Sequence, residues 1–213
     1  PERVREILVD QAEALIRWEH ATTIFSLSMG QSVLVTEGAQ WQRQRRMLQP
    51  GFTPKRVAGY ASRMVQATRE FISALEHQAE PLTVDILRTL FGHHEARSTQ
   101  AIAKAIQTLS HYGFSQFFRP FSWPMWMPLP AVRQAREALN TLNDLIQDHI
   151  RNQPEHPSAN DSDLLSMLRS VRDPDDPSSG LSAQELHDQT MEVFQAGHET
   201  TATALTWWCG LIA

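Results

Sequence analysis

Apolar positions along most of the chain recur every three or four residues, which is the spacing of one face of an α-helix. These stripes run from Val57 to Leu75, from Val84 to Phe91, from Ile102 to Leu109 and from Val132 to Ile150, with a weaker one from Val4 to Leu15. A shorter helix is predicted over residues 164–171. The only short extended candidate is Ser32-Val-Leu-Val35, and no internal repeat is evident. The pattern therefore predicts a mainly α protein.

The last predicted helix is unusually long. Leu181, Ser182 and Glu185 have the spacing of a hydrophobic staple followed by a capping box, so we expect the helix to begin at Ser182. It would then continue for more than 30 residues to Ala213, and its second half is apolar on most sides. A helix of this length and character is expected to cross the middle of a larger body.

Two polar loops, residues 152–161 and 173–180, flank the predicted short helix. Residues 114–130 form a different connector, in which several aromatic side chains lie among four prolines: Phe117, Phe118, Phe121, Trp123 and Trp126. This composition argues against a regular helix and against a solvated linker. A lid over an apolar cavity, a membrane-dipping loop and a loop folded onto its own core all fit it.

One turn near the end of the chain combines residues that a helix interior disfavours. Gly197 costs about 1 kcal/mol relative to alanine, and threonine hydroxyls can bond back to a carbonyl one turn earlier and bend the helix. Glu199 is expensive to bury unless it is paired, solvated or protonated. From the residues alone, Glu199 and Thr200 fit either a proton relay into an apolar cavity or a kinked structural helix.

A zinc site at His198-Glu199 is disfavoured, because the helical zinc-protease motif needs a second histidine where this chain has Ala202. His93, His94 and Glu95 fail the same test. The single cysteine, Cys209, excludes an intrachain disulfide or a cysteine-rich zinc site. We therefore predict no metal site built from this chain alone.

Trp41 and Arg45 lie four residues apart, so a helix places them on one face. An indole N–H and a planar guanidinium on the same face can bind carboxylates. The same spacing also fits a surface cation–π pair or the edge of a core. Pro50 is predicted to end this helix before Phe52.

The net charge of −5 is unevenly distributed. Seven basic and no acidic residues lie between Gly38 and Arg69, whereas the rest of the chain carries 12 basic and 24 acidic residues. This distribution favours one anionic partner over general affinity for nucleic acid. The sequence shows no signal peptide and no long apolar run, which favours the cytoplasm, with a membrane anchor in a preceding segment left open.

Two motifs together resemble a known family. Gly38-Ala-Gln-Trp41-Gln-Arg-Gln-Arg45-Arg46-Met-Leu-Gln-Pro50-Gly-Phe52 is similar to the Trp-x-x-x-Arg helix and the following Pro-x-Phe of the cytochrome P-450 family, the haem-thiolate monooxygenases. Ala196-Gly-His-Glu-Thr-Thr201 is similar to Ala-Gly-x-Glu-Thr-Thr of that family's long central helix. The resemblance implies the helical N-terminal portion of the cytochrome P-450 fold, ending within the long central (I) helix.

The resemblance implies a role for each matched residue. Trp41 and Arg45 would bind the haem propionates, and Ala196 and Gly197 would lie against the distal haem face and leave an oxygen-sized groove. Thr200 would hydrogen-bond the bound dioxygen, and Glu199 would help deliver protons for O–O cleavage. The 114–130 connector and residues 32–35, especially Val33 and Leu34, would border the substrate cavity.

The implied activity is insertion of one oxygen atom from O2 into an apolar organic substrate. Electrons would come from NAD(P)H through a redox partner, a ferredoxin or a flavoprotein reductase, separate or fused, which the basic stretch could meet. Residues 1–213 would form part of a single domain whose C-terminal haem-thiolate half is missing. Cys209 lacks the family's Phe-x-x-Gly-x-Arg-x-Cys-x-Gly surroundings. Without the thiolate ligand, which supplies electron density for O–O cleavage, these residues are expected to be inactive alone.

Two other functions fit the residues. The first is a non-catalytic all-α binding module with an apolar cavity, in which the threonine cluster only shapes a kink. The second is an α-helical nucleic-acid binder that uses the basic residues between Arg43 and Arg69. The acidic remainder of the chain argues against this second alternative.

Overall fold

The computed structural model describes residues 2–11, 14–77, 96–119, 123–152 and 164–212. Its helices within these ranges are α1 (Glu2–Arg5, extended by a π-turn over Glu6–Asp10), α2 (Glu19–Met29), α3 (Gly38–Leu48, followed by a 3-10 turn over Gln49–Phe52), α4 (Pro54–His77), α5 (Ala96–Phe117), α6 (Pro130–Asn152), α7 (Leu164–Ser170) and α8 (Ala183–Ile212). The described residues contain no strand, only an isolated bridge between Arg172 and Gly180. The prediction of a mainly α fold is confirmed.

The helical stripes predict the longer elements well where the chain is described, whereas the weaker stripe from Val4 is α-helical only to Arg5 and continues as a π-turn to Asp10. The stripes that start at Val57 and Val132 lie within α4 and α6, and the short helix is α7. The stripe from Val84 to Phe91 lies outside the described residues, as do positions 153–161 of the first polar loop.

Two boundaries differ from the predictions. Residues 114–117 belong to α5, so the expectation that the whole 114–130 connector is non-helical is wrong at its first four positions. No proline occurs in this helix before Pro120, so nothing removes a donor from the helical ladder up to Phe117. The extended structure expected for Ser32-Val-Leu-Val35 is also wrong, because the N–H groups of Val35 and Thr36 close a turn by donating to the Ser32 carbonyl at 2.9 and 3.0 Å.

The core lies where α6 packs along α5 and against the first half of α8. α6 packs on both helices because its buried residues recur at steps of three and four and form a single apolar face: Val132, Ala135, Ala138, Leu142 and Ile146. Met191 and Phe194 of α8 are fully buried in the same cluster. Full burial of one such side chain typically stabilises a fold by about 1.5–3 kcal/mol.

The long helix α8 begins with the predicted capping box. The Glu185 N–H donates to Ser182 Oγ at 3.2 Å, and the Ser182 N–H donates to Glu185 Oε2 at 2.9 Å. α8 then continues as a regular α-helix through Gly197. Its second half carries exposed apolar side chains, among them Trp207 and Leu211. No helix in the described part of the chain is long and apolar enough to cross a lipid bilayer.

Candidate active site

Trp41 and Arg45 lie on α3, as the spacing predicts. Trp41 is half-buried and Arg45 is exposed. Within the described residues, neither the Trp41 indole nor the Arg45 guanidinium donates a hydrogen bond to another group. The fold therefore leaves two donors available, one turn apart, one neutral and one cationic.

Two neighbouring arginines of the same helix are used differently. Arg43 donates from Nε to Asp173 at 2.9 Å, from Nη1 to Glu185 at 2.6 Å and from Nη2 to the Gly180 carbonyl at 3.0 Å. Arg46 pairs with Asp175 at 2.7 Å. Arg43 and Arg46 therefore already have acidic partners in this chain, and the expectation that the basic stretch meets an anionic partner stays a prediction.

These contacts also shift the pKa values of the carboxyl groups that bind Arg43. Burial raises the pKa of Glu185, but the Ser182 backbone and hydroxyl donors and the Arg43 guanidinium outweigh it, so the net pKa is below its usual range. The pKa of Asp173 is lowered, chiefly by the Asp175 backbone N–H and also by Arg43. Both groups therefore favour the ionised form that binds Arg43.

On α8, burial ends just before the second motif. Phe194 is fully buried, whereas Ala196 and Thr200 are exposed and Gly197 is half-buried. A Cβ built on Gly197 would meet no atom of another part of the described chain within 4 Å. The Thr200 hydroxyl donates to the Ala196 carbonyl at 2.5 Å, as expected for a threonine in a helix. Ala196, Gly197 and the Thr200 hydroxyl therefore lie on an open surface of the described chain.

Residues 31–36, called loop 31–36 below, lie against the preceding turns of α8. The Gln31 N–H donates to Asp188 Oδ2 at 2.8 Å, the Val33 N–H to Gln189 Oε1 at 3.2 Å and the Leu34 N–H to Glu192 Oε2 at 3.3 Å. The structure thus brings Val33 and Leu34 to α8. The Glu192 partner of Leu34 lies four residues, or about 6 Å along the helix axis, before Ala196.

The two predicted parts of the site are not in direct contact where the structure describes both, since no hydrogen bond or ion pair joins Trp41 or Arg45 to Ala196, Gly197 or Thr200. The link between α3 and α8 is instead the pair of Arg43 with Glu185. Glu185 precedes Gly197 by twelve residues, which is about 18 Å of helix. A ligand that touched both parts would have to span the open space between them.

The available donors and the open turn fit a haem group. Its two propionates are carboxylates, which an indole N–H and a guanidinium bind well, and its flat apolar ring suits a surface of small residues such as Ala196 and Gly197. No group of three or more metal-ligating side chains occurs among the described residues.

Sequence reasoning missed the residues that fix loop 31–36, namely Arg17, Asp188, Gln189 and Glu192. The backbone groups that Arg17 binds lie more than 15 positions away, and those that the three α8 residues bind lie more than 150 positions away. No local spacing in the sequence therefore marks these four residues. The one local signal is Gly30, which follows a helical stretch and has φ +55°. A Cβ at that position would overlap the Asp188 carboxylate.

Comparison with known proteins identifies the class. The family model described as Cytochrome P450 matches residues 1–213, and the chain belongs to the cytochrome P450 family. Cyclooctatin synthase of Streptomyces melanosporofaciens is 32% identical over 84% of this chain and 41% of its own length. Pentalenene oxygenase of Streptomyces avermitilis is 31% identical over 78% of this chain and 38% of its own length.

A putative cytochrome P450 135A1 of Mycobacterium tuberculosis is 28% identical over 97% of this chain and 48% of its own length. The chain therefore spans less than half the length of these three curated relatives.

Proposed function

We propose that this chain is part of a haem-dependent monooxygenase that inserts one oxygen atom from O2 into an apolar organic substrate and reduces the other atom to water. The observation that carries the proposal is that α3 bears two available donors while α8 bears Ala196, Gly197 and the Thr200 hydroxyl on an open surface. Family membership and the names of relatives, an oxygenase among them, support the same reaction.

Trp41 and Arg45 would hold the haem propionates, and Ala196 and Gly197 would contact the ring. Haem, when bound, supplies the reductive activation of O2, with electrons that reach it from NAD(P)H through a redox partner. A cysteine outside residues 1–213 would supply the thiolate ligand, and these residues would form part of a single domain. Besides Arg45, the exposed cations near α3 include Lys55 and Arg56. An acidic redox protein could bind to these two side chains.

Thr200 would hold a proton beside the reacting oxygen atoms. Its hydroxyl now donates to the Ala196 carbonyl, so its oxygen keeps lone pairs that can accept a hydrogen bond. Rotation about the Cβ–Oγ1 bond turns the same proton outward. Glu199, the preceding residue, would exchange protons with solvent and pass them to this hydroxyl.

An apolar binding module without catalysis is the alternative function. An experiment that separates the two uses the full-length protein with haem, a ferredoxin, its reductase and NADPH. Pentalenene and cyclooctat-9-en-7-ol, the compounds named in two relatives, serve as trial substrates under ¹⁸O2. The proposal expects one labelled atom in each product molecule and labelled water as the second product. Binding without NADPH-dependent O2 consumption would support the binding module instead.

A further inference from the structure

Gln44 is a buried amide on α3, and both ends of its side chain are hydrogen-bonded to loop 31–36. The residue is 0% exposed. Its Oε1 accepts from the Thr36 hydroxyl at 2.7 Å, and its Nε2 donates to the Gln31 carbonyl at 2.9 Å. With the amide reversed, Oε1 would face the Gln31 carbonyl oxygen without a proton between them, so the chemistry of the partners fixes its orientation.

Gln31 connects this amide to α8. Its carbonyl accepts from Gln44, and its backbone N–H donates to Asp188 Oδ2 at 2.8 Å. Asp188 is 4% exposed and also accepts from Gln184 at 2.8 Å, so the carboxylate is itself held in place. A continuous chain of hydrogen bonds therefore runs from α3 through Gln31 to α8.

α3 has a second attachment on another side. The Arg43 guanidinium donates to Asp173, to Glu185 and to the Gly180 carbonyl. Successive residues of an α-helix project about 100° apart around its axis, so Arg43 and Gln44 hold α3 from two directions. Two attachments in different directions oppose a rotation of the helix about its axis, which a single attachment would allow.

The rotation of α3 decides where Trp41 and Arg45 point. Trp41 lies three residues before Gln44, and Arg45 lies one residue after it. A rotation of about 10° moves a group that lies about 6 Å from the helix axis by about 1 Å. Because the donor–acceptor distances of N–H···O hydrogen bonds span only about 0.5 Å, a shift of this size is enough to break such a bond.

We propose that Gln44 is a positioning residue that fixes the rotation of α3, so that Trp41 and Arg45 reach the two propionates of one haem together. This inference rests on the proposed function. Gln44 makes no contact with the haem in this arrangement and acts through loop 31–36 and α8. Loss of its amide therefore weakens haem retention only while Trp41 and Arg45 are present to be misplaced.

The test measures the rate of haem transfer from the full-length protein to an excess of apomyoglobin. The variant is Gln44→Met, because methionine is close to glutamine in length and volume but lacks the amide donor and acceptor. Gln42→Met is the matched control, since Gln42 is an exposed glutamine on the same helix. Each substitution is made in the unmodified protein and in the double variant Trp41→Phe/Arg45→Ala, which lacks both donors.

In the unmodified background, Gln44→Met should speed haem transfer by about fivefold, as for the loss of one hydrogen bond. In the Trp41→Phe/Arg45→Ala background, the same substitution should change the rate by less than about twofold, because the donors that it would misplace are gone. Gln42→Met should leave the rate unchanged in both backgrounds.

Thr36→Val provides a second route to the same answer. It removes the hydroxyl that donates to Gln44 and keeps a side chain of similar shape. It should also speed haem transfer in the unmodified background and not in the Trp41→Phe/Arg45→Ala background. This variant decides the question where Gln44→Met fails to fold.

The outcomes are distinguishable. An equal acceleration by Gln44→Met in the two backgrounds would overturn the proposal, because the amide would then stabilise the fold without directing Trp41 or Arg45. An unchanged rate in the unmodified background would overturn it as well. If the Trp41→Phe/Arg45→Ala variant loses haem no faster than the unmodified protein, the result would instead overturn the propionate contacts of the proposed function.

Discussion

Arg43 donates from Nη1 to Glu185 Oε1 across 2.6 Å and thereby joins α3, which bears Trp41 and Arg45, to the first turn of α8. The guanidinium also donates to Asp173 and to the Gly180 carbonyl, so each of its three nitrogens makes a hydrogen bond. The two helices that carry the matched motifs are therefore connected through an ion pair that involves none of the residues assigned to the haem site. This relationship gives the first prediction.

A double-mutant cycle with Arg43→Ala and Glu185→Ala should give a coupling free energy of about 1 kcal/mol in chemical denaturation of the full-length protein. The reason is that both groups are largely shielded from water, with side chains 28% and 19% exposed. Arg133 and Glu137 of α6 form the control pair, at 3.8 Å and 75% and 70% exposed, whose coupling should stay near about 0.3 kcal/mol. Equal coupling in the two pairs would contradict the structural role of Arg43.

Gly30→Ala should destabilise the fold more than Gly38→Ala. Both glycines have positive φ, +55° and +58°, so an alanine is strained at each, and Gly30 also has ψ −133°, which lies outside the left-handed α region that other residues can adopt. Only at Gly30 does the added Cβ overlap the Asp188 carboxylate, whereas at Gly38 it meets nothing within 4 Å. The difference between the two free energies of unfolding reports this close approach together with the backbone strain at Gly30, and equal values would contradict the prediction.

Glu192 and Asp188 should give opposite dependences of stability on pH. Burial raises the pKa of Glu192 more than the Leu34 N–H and Arg17 lower it. A folded-state pKa above the ordinary value of 4.5 contributes stability that is fully present below that value and is lost as the pH rises through the folded-state pKa. In Glu192→Gln, this loss of unfolding free energy with rising pH should disappear.

Burial also raises the pKa of Asp188, but hydrogen bonds from His187, the Gln31 N–H and Gln184 outweigh it, so its net pKa lies below 3.8. Its contribution is therefore present above pH 3.8 and is lost as the pH falls through the lower folded-state pKa. Asp188→Asn should remove that acid-side loss. Unfolding free energies measured across the acid pH range test both predictions. The same pH dependence of the unfolding free energy in Glu192→Gln and Asp188→Asn would contradict them.

Arg45→Ala should weaken haem retention by roughly tenfold, and Trp41→Phe by roughly fivefold, because a charge-assisted hydrogen bond is stronger than a neutral one. The measurement is the rate of haem transfer from the full-length protein to an excess of apomyoglobin. Arg46→Ala is the matched control, since Arg46 already pairs with Asp175. A faster loss in the Arg46 variant than in the Arg45 variant would place the propionates elsewhere.

Thr200→Ala should uncouple O2 consumption from product formation, and the product formed per O2 should fall by roughly an order of magnitude or more. Thr200→Ser keeps the hydroxyl and should retain most of the coupling. Thr201→Ala removes the neighbouring exposed hydroxyl and should leave the coupling unchanged. Coupling that is lost equally in the Thr200 and Thr201 variants would indicate a general effect on the helix rather than a proton held at Thr200.

Features that depend on the spacing of residues close together in the sequence could be predicted. The apolar stripe on α6 consists of residues spaced three or four positions apart, and the capping box joins Ser182 to Glu185, three positions later. Both depend on neighbours along the chain, so both follow from the order of the residues alone.

Features that depend on distant partners could not be predicted. Ser32-Val-Leu-Val35 has the composition of a short strand, but bonds from Arg17 and to α8 fold it into a turn. Likewise, nothing in the spacing of the arginines on α3 separates Arg43, whose partners lie 130 and 142 positions away, from Arg45. Tertiary contacts decide which cations remain available for a ligand.

The proposal that this chain contributes one side of a haem-thiolate site is tested most directly by the absorption spectrum of the full-length protein after reduction and addition of carbon monoxide. We expect a Soret band at the red-shifted position of thiolate-ligated haem, in amounts stoichiometric with the protein. A spectrum without a Soret band, or one at the position of histidine-ligated haem, would contradict this assignment.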